Sequence, residues 1–114
     1  MSNIEYLRTQ TVLFVEELAR DVLAKILTKL FKKVITAANG QEGLENFNKE
    51  KNTDEPIDLI ISDINMPIMN GLEMLENIRK IDSEVPAIFV TARNETNNIL
   101  KAIDLNVSNY VIKP

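Results

Sequence analysis

The sequence predicts an α/β fold built on a five-stranded parallel sheet, and two observations carry that prediction. Short apolar, β-branched runs recur along the chain: TVLFV at 11–15, VITAA at 34–38, IDLIIS at 57–62, AIFVT at 87–91 and NYVI at 109–112. Runs of strand length without polar alternation belong to strands buried on both faces. Segments with apolar residues at helical spacing separate them, so the chain reads as four strand–helix units and a final strand. That alternation implies a doubly wound parallel sheet with helices on its faces and right-handed crossovers. Periodicity leaves the strand order open between a Rossmann-type and a flavodoxin-like arrangement. In either one, ligands bind beyond the carboxyl ends of the strands, near the switch in strand order.

The elements follow in order. Residues 1–10, MSNIEYLRTQ, are polar without a clear period and read as a linker or lead-in. TVLFV is the first strand. Leu18, Val22, Ile26, Leu30 and Phe31 then recur at helical spacing and predict an amphipathic helix with that stripe inward. After the second strand, Asn39 stands three residues before Glu42, a helix start with an Asx cap. This second helix carries Leu44 and Phe47 and dissolves into NKEKNTDEP, 48–56, a charged surface loop ended by Pro56. The third strand ends at Asp63, Pro67 and Gly71 mark a bend, and residues 71–81 have helical spacing. Pro86 opens the fourth strand. Asn94 is positioned to cap a fourth helix with Ile99, Leu100, Ile103 and Leu105 inward, and NYVI is the fifth strand. Met66, Met69 and Met74 read as packing residues.

Bulk composition bounds the function. A chain of 114 residues with 45% apolar content suggests one packed domain. Its net charge of −4 argues against non-specific nucleic-acid binding, which needs clustered Lys and Arg to neutralise phosphates. No apolar run approaches membrane-spanning length, and no signal peptide opens the chain. There is no cysteine, which excludes disulfides and thiolate metal sites and fits the cytoplasm. There is no histidine either, so a His-based triad, zinc site or phosphohistidine must come from a partner.

The strand ends hold the chemistry. Glu16 and Glu17 follow the first strand, Asp63 the third, Thr91 ends the fourth and Lys113 follows the fifth, while the second ends in small neutral residues. A parallel sheet brings these ends to one edge. Three adjacent carboxylates repel unless a hard cation sits among them. Oxygen ligands suit Mg²⁺, which keeps several waters and often meets a phosphate, and Mn²⁺ is compatible on ligand type. Lys113 is a point charge suited to a phosphoryl oxygen, and Thr91 can donate a hydrogen bond to another. A carboxylate can itself be the nucleophile and form an acyl phosphate. In-line phosphoryl transfer needs mainly positioning and charge neutralisation. Taken singly, each of these residues has a plainer role, Asp63 as a turn residue and Glu16–Glu17 as a solvated helix start; their convergence favours the reactive reading.

VLFVEEL, SDINMPIMNG, FVTAR and YVIKP, in this order, resemble the receiver domain of two-component response regulators and hybrid histidine kinases, over residues 11–114. The resemblance implies a flavodoxin-like (CheY-like) sheet of order 2-1-3-4-5. It implies Asp63 as phospho-acceptor, loaded from a phosphohistidine on a sensor kinase or phosphotransfer protein. Glu16, Glu17, Asp63 and the Asn65 backbone carbonyl would hold Mg²⁺, and Thr91 and Lys113 the phosphoryl group. Tyr110 would change rotamer with Thr91, and the Lys113–Pro114 bond would be cis. The module would work in the cytoplasm, pass its signal to an output domain or partner protein, and have at most weak self-phosphorylation and self-dephosphorylation.

Two departures from the family pattern stand out. The second acid is Glu17 where Asp is usual, and the added methylene is expected to weaken Mg²⁺ binding, because Mg²⁺ demands near-ideal octahedral geometry. The chain also stops after the fifth strand, where receivers continue into a fifth helix. Apolar surface over strands three to five is therefore expected to be bare, a face for a further segment or for a homodimer. Two other functions compete with the receiver reading. A degenerate receiver would signal by protein contact without phosphorylation, with the Glu16–Glu17 pair as its sequence support. A Mg²⁺-dependent phosphatase would use Asp63 as nucleophile, but Asn65 stands where its general acid would be, and neither a Gly-rich phosphate loop nor a substrate cap is present.

Overall fold

The five apolar runs become five strands because pairing in a sheet covered by helices takes their apolar side chains out of water while the backbone keeps its hydrogen bonds. The computed structural model describes residues 3–16, 20–91 and 109–112. In chain order the elements are α1 (Asn3–Leu7), β1 (Thr11–Val15), α2 (Arg20–Leu27), β2 (Lys33–Ala37), α3 (Gly40–Glu50), β3 (Leu59–Asp63), α4 (Gly71–Arg79), β4 (Ala87–Thr91) and β5 (Asn109–Ile112). The sheet order is β2-β1-β3-β4-β5, and every pairing is parallel. This is the flavodoxin-like order, and it puts the switch in strand order between β1 and β3.

The pleat sends alternate residues of each strand to opposite faces. Leu13 and Val15 of β1, Ala37 of β2, Ile60 of β3 and Ala87 and Phe89 of β4 join Phe47 of α3 and Leu72, Met74, Leu75 and Ile78 of α4 in one buried cluster. Helices α3 and α4 also pack on each other. Gly43 permits this, since a Cβ there would lie 2.6 Å from Met74 Sδ. Val12 and Phe14 are buried on the other face of β1, outside that cluster. There α2 packs against β1 and β2.

The expected inward stripe of α2 is only partly realised. Phe31 is buried, but Val22 is 68% and Ile26 53% exposed. Helical periodicity identifies the apolar side of a helix; it does not say what covers that side. Farther along the same sheet face, Leu59, Ile61, Ile88 and Val90 are half-buried. The expected fourth helix at 94–105, and Leu18 of the α2 stripe, lie outside the described residues.

The lead-in also differs from expectation, for residues 3–7 are helical. Thr9 closes that turn, with both its N–H and its Oγ1 donating to the Tyr6 carbonyl. Tyr6 and Leu7 line a pocket of about 190 Å³ with Gln10, Phe31, Asp58, Leu59 and Pro86. This pocket sits at the amino ends of the strands, where the Asp58 carboxylate accepts from Thr11 N–H at 2.9 Å. Among the described residues no helix is long and apolar enough to cross a membrane.

Candidate functional site

Strand register assembles the candidate site. Val15 pairs with Ser62, Asp63 with Val90, and Thr91 with Ile112. One step beyond these pairs, Glu16 emerges beside Asp63 at the carboxyl edge, with Thr91 a residue past Asp63's own partner. The backbones of Glu16, Asp63 and Thr91 thus reach one edge of the sheet. Glu17 and Lys113 lie outside the described residues, as do the side chains of Thr91 and Tyr110 and the Lys113–Pro114 bond. The backbone pairs Tyr110 with Phe89.

Glu16 is only 8% exposed, and its N–H donates to the Ala37 carbonyl at 3.1 Å, which ties the end of β1 to β2. Carboxylates are rarely buried unless paired or bound to a metal. Asp63 is half-buried; its Oδ1 accepts from Ile64 N–H at 2.8 Å, and its carbonyl accepts from the buried Ser62 hydroxyl at 2.7 Å. Asn65 is exposed. Two carboxylates and a backbone carbonyl near the end of one strand pair are hard oxygen donors of the kind Mg²⁺ takes. Among the described residues no group of three acidic, His or Cys side chains forms a complete cage. The donor set fits a cation that keeps much of its water.

The β3–α4 loop determines how Asp63 and Asn65 are held. Gly71 N–H donates to the Ile64 carbonyl at 2.7 Å, and a Cβ on Gly71 would overlap the Asp63 carbonyl oxygen. Glycine is required there for close approach, because its φ is not positive. The residue with positive φ is Ile68, at 71°, which sequence reasoning did not single out. Nothing local predicts it, since β-branched residues avoid that region. Asn70 caps α4 through a reciprocal box: its Oδ1 accepts from Glu73 N–H at 2.8 Å, and Glu73 Oε1 accepts from Asn70 N–H at 3.2 Å. At the far end of α4, burial pushes the Arg79 guanidinium below its usual pKa, while Asp82 acts in the opposite direction.

Comparison with known proteins agrees with this fold. Residues 12–114 match the response regulator receiver domain model. The chain is 44% identical over 80 residues to the probable transcriptional regulator ycf29 of Porphyra purpurea, which covers 68% of this chain and 36% of that protein. It therefore spans little more than a third of that relative's length. Among solved structures, the N-terminal domain of an uncharacterized protein from Wolinella succinogenes is 34% identical with a TM-score of 0.83, covering 93% of this chain and 83% of that one. The response regulator TrrA of Thermotoga maritima, solved in complex with Mg²⁺-BeF, is 28% identical with a TM-score of 0.75, covering 93% and 88%. With its fold, its carboxyl-edge acids and its matching motifs in agreement, the chain belongs to the response regulator receiver domain family of two-component signalling.

Proposed function

We propose that this receiver accepts a phosphoryl group on Asp63 from a phosphohistidine of a sensor kinase or phosphotransfer protein. The observation that carries the reading is the register that lines up Glu16, Asp63 and Thr91 on one edge. An Asp63 carboxylate oxygen attacks phosphorus, the phosphorus–nitrogen bond of the donor breaks, and the imidazole leaves and takes a proton. The product on this chain is an acyl phosphate. The donor must supply the imidazole, because the chain has no histidine.

Glu16, Glu17, Asp63 and the Asn65 carbonyl would hold Mg²⁺, which would neutralise charge on the transferring group. The Thermotoga neighbour, solved with Mg²⁺-BeF, supports that assignment. Thr91 donates to one phosphoryl oxygen and Lys113 neutralises another. Drawing Thr91 toward the phosphoryl group lets Tyr110 turn inward, which changes the surface near β5, a two-state switch biased by local charge. Water returns Asp63 to its carboxylate slowly, so self-dephosphorylation is weak. A cytoplasmic setting fits a donor kinase, and the output is carried by another domain or a partner protein.

The test is incubation with a small phosphodonor and Mg²⁺, read by intact mass. The wild type should gain the mass of one phosphoryl group, and Asp63→Asn should gain none. No adduct on the wild type would favour a phosphorylation-independent interaction module. Rapid turnover of varied phosphomonoesters would favour a phosphatase.

A further inference from the structure

Two features of the β3–α4 loop lie outside the phosphoryl chemistry. The first is a strained turn. Met69 N–H donates to the Pro67 carbonyl at 2.7 Å across Ile68, whose φ is 71°. A three-residue turn with a positive central φ is rare and strained, most of all for a β-branched residue. Ile68 is 81% exposed, so burial of its own side chain does little to hold it.

The second feature is the group that closes on this turn from outside the loop. Gly40, the first residue of α3, donates its N–H to the Met69 carbonyl at 2.8 Å. The backbones meet so closely that a Cβ on Gly40 would overlap the Met69 carbonyl oxygen and lie 2.8 Å from that of Asn70. Both obstacles are main-chain atoms, so no rotamer change relieves them. The contact needs glycine because nothing larger fits the approach. The loop is thus pinned at Gly71 to the end of β3 and at Met69 to the start of α3, with the strained turn between β3 and the second pin.

We propose that Gly40 is a positioning residue for the cation site. Its N–H holds the Met69 carbonyl, keeps the Ile68 turn in its strained conformation, and so fixes residues 65–69, including the Asn65 carbonyl assigned to the cation. This rests on the metal assignment under Proposed function. It makes the amino end of α3 part of the support of a site that it does not touch, so that a shift of α3 reaches the cation through the loop backbone.

Gly43, one turn along α3, supplies the control. A Cβ there would meet the flexible Met74 Sδ and Val15 Cγ2 in the core and would leave the loop alone. Mg²⁺ affinity and thermal midpoint are measured for wild type, Gly40→Ala and Gly43→Ala by amide NMR titration and thermal unfolding. Both variants should lose thermal stability, but Gly40→Ala should weaken Mg²⁺ about tenfold while Gly43→Ala stays within about twofold, as expected when a support behind a ligand is lost. In the wild type, the Gly40 amide resonance should move with the same Mg²⁺ midpoint as Asp63, a readout that stands even if Gly40→Ala does not fold. Unchanged affinity in Gly40→Ala, equal loss in Gly43→Ala, or a silent Gly40 amide at saturating Mg²⁺ would each overturn the proposal. A wild type with no Mg²⁺ response at any amide would instead remove the metal assignment, and the positioning role with it.

Discussion

The two faces of the sheet are built differently. Under α3 and α4, Ile60, Met74, Leu75, Ile78 and Phe89 are fully buried and form one cluster. On the α2 face, Val12 and Phe14 are buried, but Leu59, Ile61, Ile88 and Val90 are half-buried, and Val22 and Ile26 stand largely in solvent. The covered face carries the stability of the domain, since burial of apolar area is the main favourable term in folding. The other face buries Val12 and Phe14 but leaves its remaining described apolar side chains partly exposed, where each contributes less to folding. The β3–α4 loop stands between these extremes: it leads into the well-packed α4 and yet contains a strained, exposed residue.

Mutations that separate these regions test the contrast. The largest effect is expected in the covered core, where Leu75→Ala should cost about 3–4 kcal/mol from lost burial and the cavity left behind. A shift of the urea midpoint at constant slope would show it, and a cost near zero would mean that α4 does not hold the fold. Ile68→Gly should go the other way and stabilise by about 1 kcal/mol, because glycine accepts positive φ without the steric cost. Loss of stability in that variant would show that the turn is not strained. The smallest effect is expected on the α2 face, where Val22→Ala should stay within about 0.5 kcal/mol, since little burial is lost and alanine favours the helix. A cost comparable with that of Leu75→Ala would show that this face is packed in solution.

Much of the site was legible because it depends on short-range rules. The run TVLFV stops at Glu16 and LIIS at Asp63, so once the sheet is parallel the acids must share an edge. Asn39 was readable as a helix cap from its spacing to Glu42, and its Oδ1 does accept from Glu42 N–H at 2.9 Å. Pro67 and Gly71 marked a bend, but not which residue would take the left-handed backbone. The burden falls on Ile68, whose side chain is among the least suited to it. Gly40 was hidden for another reason. Beside an Asx cap it looks like an ordinary helix start, and its need for glycine comes from Met69 and Asn70, far along the chain.

The sequence by itself determined the alternation of strands and helices from Thr11 to Thr91, the Asn39 cap, and the arrival of Glu16, Asp63 and Thr91 at the carboxyl edge, because side-chain period and capping act within a few residues. Tertiary structure decided the rest. It bore out the flavodoxin-like order that the motifs implied and periodicity left open, buried Glu16 while leaving Val22 and Ile26 exposed, and set Gly40 against the loop beside Asp63. Those outcomes depend on which segments pack together in space, and an apolar stripe or a glycine does not encode its partner.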